Sequence, residues 1–389
     1  MNDQQKAIVL LMKSAITRQA EALPEDFSLE QSLALIHKHH MVNLIYDGAA
    51  LCGISGKHPA MQQLFPHYLR QLLKSEGQQR AVAALCQAFR DAGIDHMLLK
   101  GCRMKGLYPK AELRYMGDAD ILIRPEQYDR IRPIMRQLGY REKSETDHEL
   151  PWVSDGLYVE LHKMLIPSYN KDLYAYYGDG WQLAAAGDGS EYFMKPEDEF
   201  IYLFTHFAKH YRDGGVGCRY VVDLWLWRRN YPAMDERYIR KIMETMQMER
   251  FYGNILALID YWFAGGPGSE TLDILTEFIF SSGSWGADEV RVLSRAVRDA
   301  KHSALGFSGR LLYLWQTAFP PRRTLWDKYT VLKKHPWMLP AVWLVRPFYK
   351  VFFEWKTLSR KKKHLQTLSE ENIRLRRDML QLVGLDYNF

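Results

Sequence analysis

The chain has 389 residues and a formal net charge of +6; 47% of its residues are hydrophobic and 25% are charged. This composition is typical of a globular protein with two or three domains and buried cores. The mildly basic charge suits phosphate-rich ligands but falls short of that of a dedicated nucleic-acid-binding protein. Together with the absence of an obvious basic, aromatic-interleaved groove in residues 94–165, it disfavours a nucleic-acid partner.

The cysteines and the apolar segments predict a cytoplasmic protein. The four cysteines are scattered and form neither a CxxC pair nor the dense framework of small secreted domains. The N-terminal segment lacks a long apolar region and a small-residue cleavage site, which argues against export. No apolar run approaches the roughly 18 residues that a spanning helix needs.

Residues 1–92 are predicted to form a helical N-terminal region. Apolar side chains recur at helical spacing from Ile8 to Ile16 and again over residues 61–92. Gly93 is predicted to end the last helix of this region.

Residues 93–194 are predicted to form a mixed α/β core. Short apolar runs bounded by Gly, Pro or charged residues indicate strands, and one longer run with helical spacing indicates a helix. The predicted strands are 94–99, 119–123, 140–145 and 157–162, and the predicted helix is 126–138. The stretch between the last two strands contains Pro151 and is predicted to be a polar turn. The chain is therefore predicted to be α+β, with a short mixed sheet flanked by helical regions.

Residues 195–389 are predicted to be mainly α-helical, starting with a proline and three acidic residues. Near the C-terminus, residues 337–363 mix aromatic and basic side chains, including the run Arg360–Lys363. This segment could rest weakly on an anionic membrane surface, which would make the protein peripheral to the membrane. A packed helix with a solvated basic tail is favoured, because Pro340 and Pro347 interrupt any long amphipathic face.

Two strands of the predicted core carry acidic side chains. Asp118 and Asp120 stand two residues apart and would share one face, as would Glu160 and His162. Carboxylates so close repel each other unless a cation lies between them, and Mg²⁺ or Mn²⁺ prefers such oxygen ligands. If the strands are neighbours, three carboxylates can hold two metal ions, as in phosphoryl or nucleotidyl transfer. The alternative for the aspartates is a solvated turn before a buried strand.

Positive side chains near this cluster are candidates for binding phosphate. Lys100 and Gly101 follow the first predicted strand, where the glycine permits a close backbone approach and the lysine offers a charge. Arg114 could make a second contact to a triphosphate. Both cations could instead balance the acidic cluster structurally. His162 could position the substrate or have a structural role.

A second pair of histidines, His206 and His210, has the i, i+4 spacing of a zinc site, but the glutamate of the HExxH pattern is absent. A structural role is favoured, either as hydrogen-bond partners of Asp223 or as part of the cleft wall on the acceptor side. Neither histidine is included in the predicted metal site.

The motifs resemble a known family in type and order. They are Leu98-Leu99-Lys100-Gly101, Tyr108-Pro109, Arg114, Gly117–Ile123, Gly139-Tyr140 and Val159–His162. This combination is similar to the uncharacterised nucleotidyltransferase family of the DNA polymerase β-like superfamily. The resemblance implies a polymerase β-like core with a turn at Gly101, an Asp-x-Asp pair at Asp118 and Asp120, and a third acidic residue at Glu160.

The resemblance and the acidic cluster together predict a metal-dependent nucleotidyltransferase. It would move a nucleoside monophosphate from an NTP, with ATP expected, to the hydroxyl of an unidentified acceptor by a two-metal mechanism using Mg²⁺ or Mn²⁺. The predicted catalytic and metal-binding residues are Asp118, Asp120 and Glu160; the predicted nucleotide-binding residues are Lys100, Gly101 and Arg114; and His162 is predicted to position substrate. The alternative is a catalytically weak nucleotide-binding regulatory protein of the same fold, which Cys102 in the turn favours.

Overall fold

A computed structural model of the chain contains a seven-stranded mixed sheet with helices before and after it, which confirms the predicted α+β class. The structure describes residues 1–146, 148–168, 170–284, 286, 288–301, 315, 319–320, 325, 329, 331–353 and 368–385. Contacts divide the chain into two compact units, residues 1–208 with 216–284 and residues 209–215 with 285–387. The division into regions 1–92, 93–194 and 195–389 stays a prediction.

Four helices precede the sheet, as the periodicity of residues 1–92 predicts. They are α1 (Asp3–Thr17), α2 (Leu29–Lys38), α3 (Val42–Leu51) and α4 (Pro59–Asp91). A capping box starts α1, because the Asn2 side chain accepts a bond from the Gln5 amide while the Gln5 side chain accepts one from the Asn2 amide. Gly93 follows the end of α4 with a φ of 61°, a conformation that favours glycine.

The strands lie between residues 96 and 194. They are β1 (His96–Leu98), β2 (Asp118–Ile123), β3 (Arg141–Glu142), β4 (Glu149–Val153), β5 (Tyr158–His162), β6 (Ala184–Ala186) and β7 (Glu191–Met194). Their spatial order is β3-β4-β5-β2-β1-β7-β6. The pairs β2–β5 and β1–β7 are parallel, and the other neighbours are antiparallel.

Alternation along β2 separates a buried face of the sheet from a polar one. Ala119, Ile121 and Ile123 are fully buried in a core that includes side chains of α4 and of helix α6 (Tyr128–Gln137). Asp118 and Asp120 therefore point to the opposite face, as the period of two predicts. The core behind β2 thus fixes which way the two carboxylates face.

The segment predicted as a polar turn between residues 145 and 157 contains strand β4, so that prediction is wrong. Proline disfavours a strand because it has no N–H to donate. Here the Pro151 carbonyl accepts a bond from the Lys143 amide on the side away from β5. The N–H that proline lacks would point to that same side, where β3 is only two residues long. Strands β6 and β7 are further elements that the sequence pattern did not predict.

Helices follow the sheet, as predicted from residue 195 onward. The core itself contains two short helices, α5 (Lys100–Met104) and α7 (Lys171–Tyr177). The helices after the sheet are α8 (Pro196–Asp213), α9 (Cys218–Asn230), α10 (Glu236–Thr245), α11 (Glu249–Phe263), α12 (Glu270–Ser282), α13 (Asp288–Lys301), α14 (Val331–Lys334), α15 (Leu339–Phe353) and α16 (Glu370–Val383). Among the described residues, no helix is long and apolar enough to cross a membrane.

Helix α15 contains both prolines that are expected from the sequence to interrupt an amphipathic face. Pro340 is the second residue of the helix, where an N–H has no partner to lose, and the helix continues past Pro347 to Phe353. The Arg360–Lys363 run lies outside the described residues.

Close packing between α1 and α3 depends on Gly48. A Cβ at this position would overlap the Leu11 carbonyl oxygen of α1. We expect Gly48→Ala to lower the free energy of unfolding by about 1–3 kcal/mol, because backbone atoms must move to admit the methyl group. Gly253→Ala in α11 is the control, since its Cβ would meet nothing within 4 Å; it should raise stability by about 0.5–1 kcal/mol. Urea unfolding measures both, and equal effects would contradict the packing argument.

Candidate active site

Strands β2 and β5 bring the predicted acidic residues together. The parallel register places Asp118 opposite Tyr158 and Asp120 opposite Glu160. His162 ends β5 on the same face, and one ligand atom from each of Asp120, Glu160 and His162 lies within 4.8 Å of the others. Asp118 lies one position away on that face of β2. The two carboxylates and the imidazole thus form a compact set of oxygen and nitrogen donors.

Asp120 is the most buried carboxylate of this set, with 5% of its surface exposed. Its Oδ1 accepts hydrogen bonds from Lys100 Nζ and His162 Nε2, each at 2.8 Å. Burial acts to raise the pKa of Asp120, but Lys100 and His162 hold it below its ordinary value. Asp120 is therefore ionised at neutral pH.

The pKa of Glu160 is shifted in the opposite direction to that of Asp120. Burial, together with the charges of Asp120, Glu149 and Asp118, raises the pKa of Glu160 to about 8. Its Oε2 lies 3.7 Å from His162 Nε2. Burial and Lys100 lower the pKa of His162, so its imidazole is neutral at neutral pH. His162 therefore does not offset the negative charge of the neighbouring carboxylates.

Lys100 and Gly101 are the first two residues of helix α5, which begins one residue after the end of β1. Lys100 has a φ of 42°, and burial acts to lower its pKa, yet Asp120 raises it well above the ordinary value. Gly101 is buried, and a Cβ there would lie 2.9 Å from Arg114 Nη1 and 3.1 Å from Met116 Cγ. The glycine therefore makes room for these two side chains. Its contact with phosphate stays a prediction.

Arg114 forms a buried, two-pronged ion pair. Its Nε and Nη2 donate to the two oxygens of Asp223 on α9, at 3.0 and 2.8 Å, and Tyr108 also donates to Asp223 at 2.8 Å. Arg114 and Tyr108 are thus partners of Asp223 in the structure. A bond from His206 or His210 to this carboxylate stays a prediction. The guanidinium thus ties the segment before β2 to α9, and its contact with nucleotide stays a prediction.

Two charged residues near the site are absent from the sequence-based set. Glu149 on β4 lies opposite His162 and contributes to the raised pKa of Glu160. The alternation of β4 could have indicated Glu149, but Pro151 hides that strand. Arg219 at the start of α9 partly offsets the rise in the pKa of Asp118 that burial and Asp120 cause. No local motif marks Arg219, because it lies about a hundred residues from β2 in the sequence.

A family model described as an uncharacterised nucleotidyltransferase matches residues 25–264, which is more than half of the chain. The chain belongs to this family. The matched region runs from before α2 to the end of α11, and it contains the whole sheet, the acidic cluster, Arg219 and Asp223. Searches of curated proteins and of solved structures found no match. Membership of this nucleotidyltransferase family indicates a general role in nucleotidyl transfer.

We expect the stability of the fold to depend strongly on both partners of the buried Arg114–Asp223 pair. Asp223→Ala should lower the free energy of unfolding by about 3–5 kcal/mol, because it leaves a buried guanidinium unpaired. The double variant Arg114→Met, Asp223→Leu should lose less, since it removes both charges and keeps apolar volume. Urea denaturation of the two proteins tests this. A double variant less stable than Asp223→Ala would show that the pair does not act as a charge-compensated unit.

Proposed function

We propose that this protein transfers a nucleoside monophosphate from an NTP, with ATP as the expected nucleotide, to the hydroxyl of an acceptor. The observation that carries the proposal is the cluster of Asp120, Glu160 and His162 within 4.8 Å on one sheet face of a nucleotidyltransferase family member. Asp118 stands beside this cluster on β2 and completes the proposed acidic set.

The donor set fits a divalent cation. Asp118, Asp120 and Glu160 offer the carboxylate oxygens that Mg²⁺ and Mn²⁺ prefer, with His162 beside them. The raised pKa of Glu160 indicates negative charge that Lys100 and His162 do not neutralise. When bound, divalent ions would polarise the α-phosphate, stabilise the leaving pyrophosphate and make the acceptor hydroxyl more acidic.

The side chains of the chain itself supply the remaining steps. Lys100, bonded to Asp120, and Arg219, whose charge acts on Asp118, would offer positive charge to the triphosphate. The acceptor oxygen attacks the α-phosphorus, the bond to the β-phosphate oxygen breaks, and pyrophosphate leaves. Glu160 would take the proton from the acceptor hydroxyl in its ionised form, which a bound cation would favour.

A nucleotide-binding regulatory protein is the second candidate, and one observation favours it. Lys100 already balances the charge of Asp120 and His162 adds a second hydrogen bond, so this carboxylate does not need a metal ion to be stable. Nucleotide binding that is independent of Mg²⁺ and yields no product would select the regulatory role.

The aspartate pair gives the direct test of the enzyme. Asp118→Asn and Asp120→Asn should each lower pyrophosphate release from ATP by about a hundredfold or more, since a metal ion stabilises transition-state charge by several kcal/mol. Asp155→Asn is the control, because this carboxylate is fully exposed in the turn between β4 and β5; it should leave the rate unchanged. Unchanged release in both β2 variants would refute the assignment.

The titration of Glu160 predicts how cation binding depends on pH. Because its pKa is raised to about 8, a cation must displace a proton from this carboxyl at lower pH. Affinity for Mn²⁺ should therefore rise about tenfold per pH unit below that value and level off above it. Asp120 adds nothing over this range, since its pKa is lowered.

Calorimetry with Mn²⁺ in buffers on both sides of pH 8 measures this slope. The matched variant Glu160→Gln has no proton to release and should bind more weakly with a flatter pH dependence. A variant with the same slope as the unaltered protein would assign the titration to another group.

A further inference from the structure

A pocket of about 290 Å³ opens between α2, α3 and α4, outside the acidic cluster. Its volume is that of a small-ligand site, with room for a compact anionic group. Its lining residues are His37, His40, Val42, His67, Arg70, Gln71, Lys74 and Tyr115. None of these described residues is acidic, and two of them carry a full positive charge.

The lining groups are suited to an anion. Arg70 and Lys74 stand four residues apart on α4, so both face the pocket from one side. Burial, with a contribution from His67, lowers the pKa of His37, and burial with Arg219 lowers that of His40. These imidazoles are therefore neutral hydrogen-bonding groups at neutral pH, and the charge of the pocket comes from the arginine and the lysine.

Tyr115 links the pocket to the acidic cluster. It precedes Asp118 by three residues, so their Cα atoms are at most about 11 Å apart. His40 stacks on its ring with centroids 4.6 Å apart, and Lys74 Nζ lies 5.1 Å from the ring centroid. Arg219 Nη1 donates to the Tyr115 carbonyl at 3.1 Å. The charge of the same arginine acts to lower the pKa of both Asp118 and His40, so Arg219 is near both sites.

We propose that this Tyr115 pocket binds a phosphate group of a substrate next to the candidate active site. A phosphomonoester carries nearly two negative charges at neutral pH, which matches the two cations, and the planar guanidinium of Arg70 suits its oxygens. The phosphate belongs either to a phosphorylated acceptor or to the triphosphate of the nucleotide. The assignment to one of these substrates rests on the proposed function, whereas the binding of phosphate does not.

Histidine resonances locate the ligand directly. Inorganic phosphate, titrated into the full chain and followed by NMR of the imidazoles, should shift the signals of His37 and His40. The variant Arg70→Ala, Lys74→Ala should weaken phosphate binding by about tenfold or more, since each side chain provides a charge-assisted hydrogen bond. Arg80→Ala is the control, because this exposed arginine lies on α4 outside the pocket. It should bind phosphate as the unaltered protein does.

Two results would overturn the proposal. One is an unchanged phosphate affinity in Arg70→Ala, Lys74→Ala; the other is phosphate binding that leaves His37 and His40 unshifted. The substitutions are at exposed positions, and a matching thermal unfolding midpoint confirms that the fold is kept.

A competition experiment distinguishes the two sources of phosphate. Mg²⁺–ATP that displaces inorganic phosphate from the pocket assigns it to the triphosphate, and simultaneous binding of both assigns it to the acceptor. The proposed function can fail separately. Phosphate binding that is weakened in the Arg70→Ala, Lys74→Ala variant, without pyrophosphate release by the protein, would support the phosphate pocket and refute the proposed transferase activity. Pyrophosphate release by the protein, with normal phosphate binding in Arg70→Ala, Lys74→Ala, would support the transferase and refute the phosphate pocket.

Discussion

The buried carboxylate of Asp120 is the constraint around which the site is organised. An ionised carboxylate at this depth is costly unless charged or hydrogen-bonding partners surround it. Lys100 and His162 supply them, each with a bond of 2.8 Å to the same oxygen. The position of Lys100 requires a φ of 42°, which costs a non-glycine residue about 1 kcal/mol or more. Asp120 Oδ1 thus binds both the start of α5, through Lys100, and the end of β5, through His162.

A second buried pair places the cations that complete the site. Arg114 joins the segment before β2 to Asp223 on α9, and Gly101 provides the room that this guanidinium needs. Arg219, one turn earlier on α9, is thereby brought beside Asp118 and Tyr115. Arg114, which the sequence predicts to bind nucleotide, thus makes a contact that positions α9. Through α9 it places Arg219 near the proposed phosphate sites.

The part of the site that could be predicted from the sequence is the part that local periodicity determines. Alternation along a strand places Asp118 with Asp120 and Glu160 with His162, and short apolar runs indicate β1, β2 and β5 closely. Contacts between distant segments leave no such pattern: Asp223 lies 109 residues from Arg114. Glu149 was missed for a local reason, because Pro151 makes β4 look like a turn while its missing N–H falls beside the two-residue strand β3.

The charges on the polar face explain why its carboxylates differ so strongly. Asp118, Asp120, Glu149 and Glu160 face Lys100 and Arg219, while His162 is held neutral by burial and Lys100. Lys100 balances the charge of Asp120 and His162 adds a hydrogen bond, so the excess negative charge raises the pKa of Glu160. A triphosphate would add to this excess and be repelled. With all four carboxylates ionised the face is two charges negative, which a divalent cation would balance, and this charge balance is the physical reason for proposing that nucleotide and metal bind together.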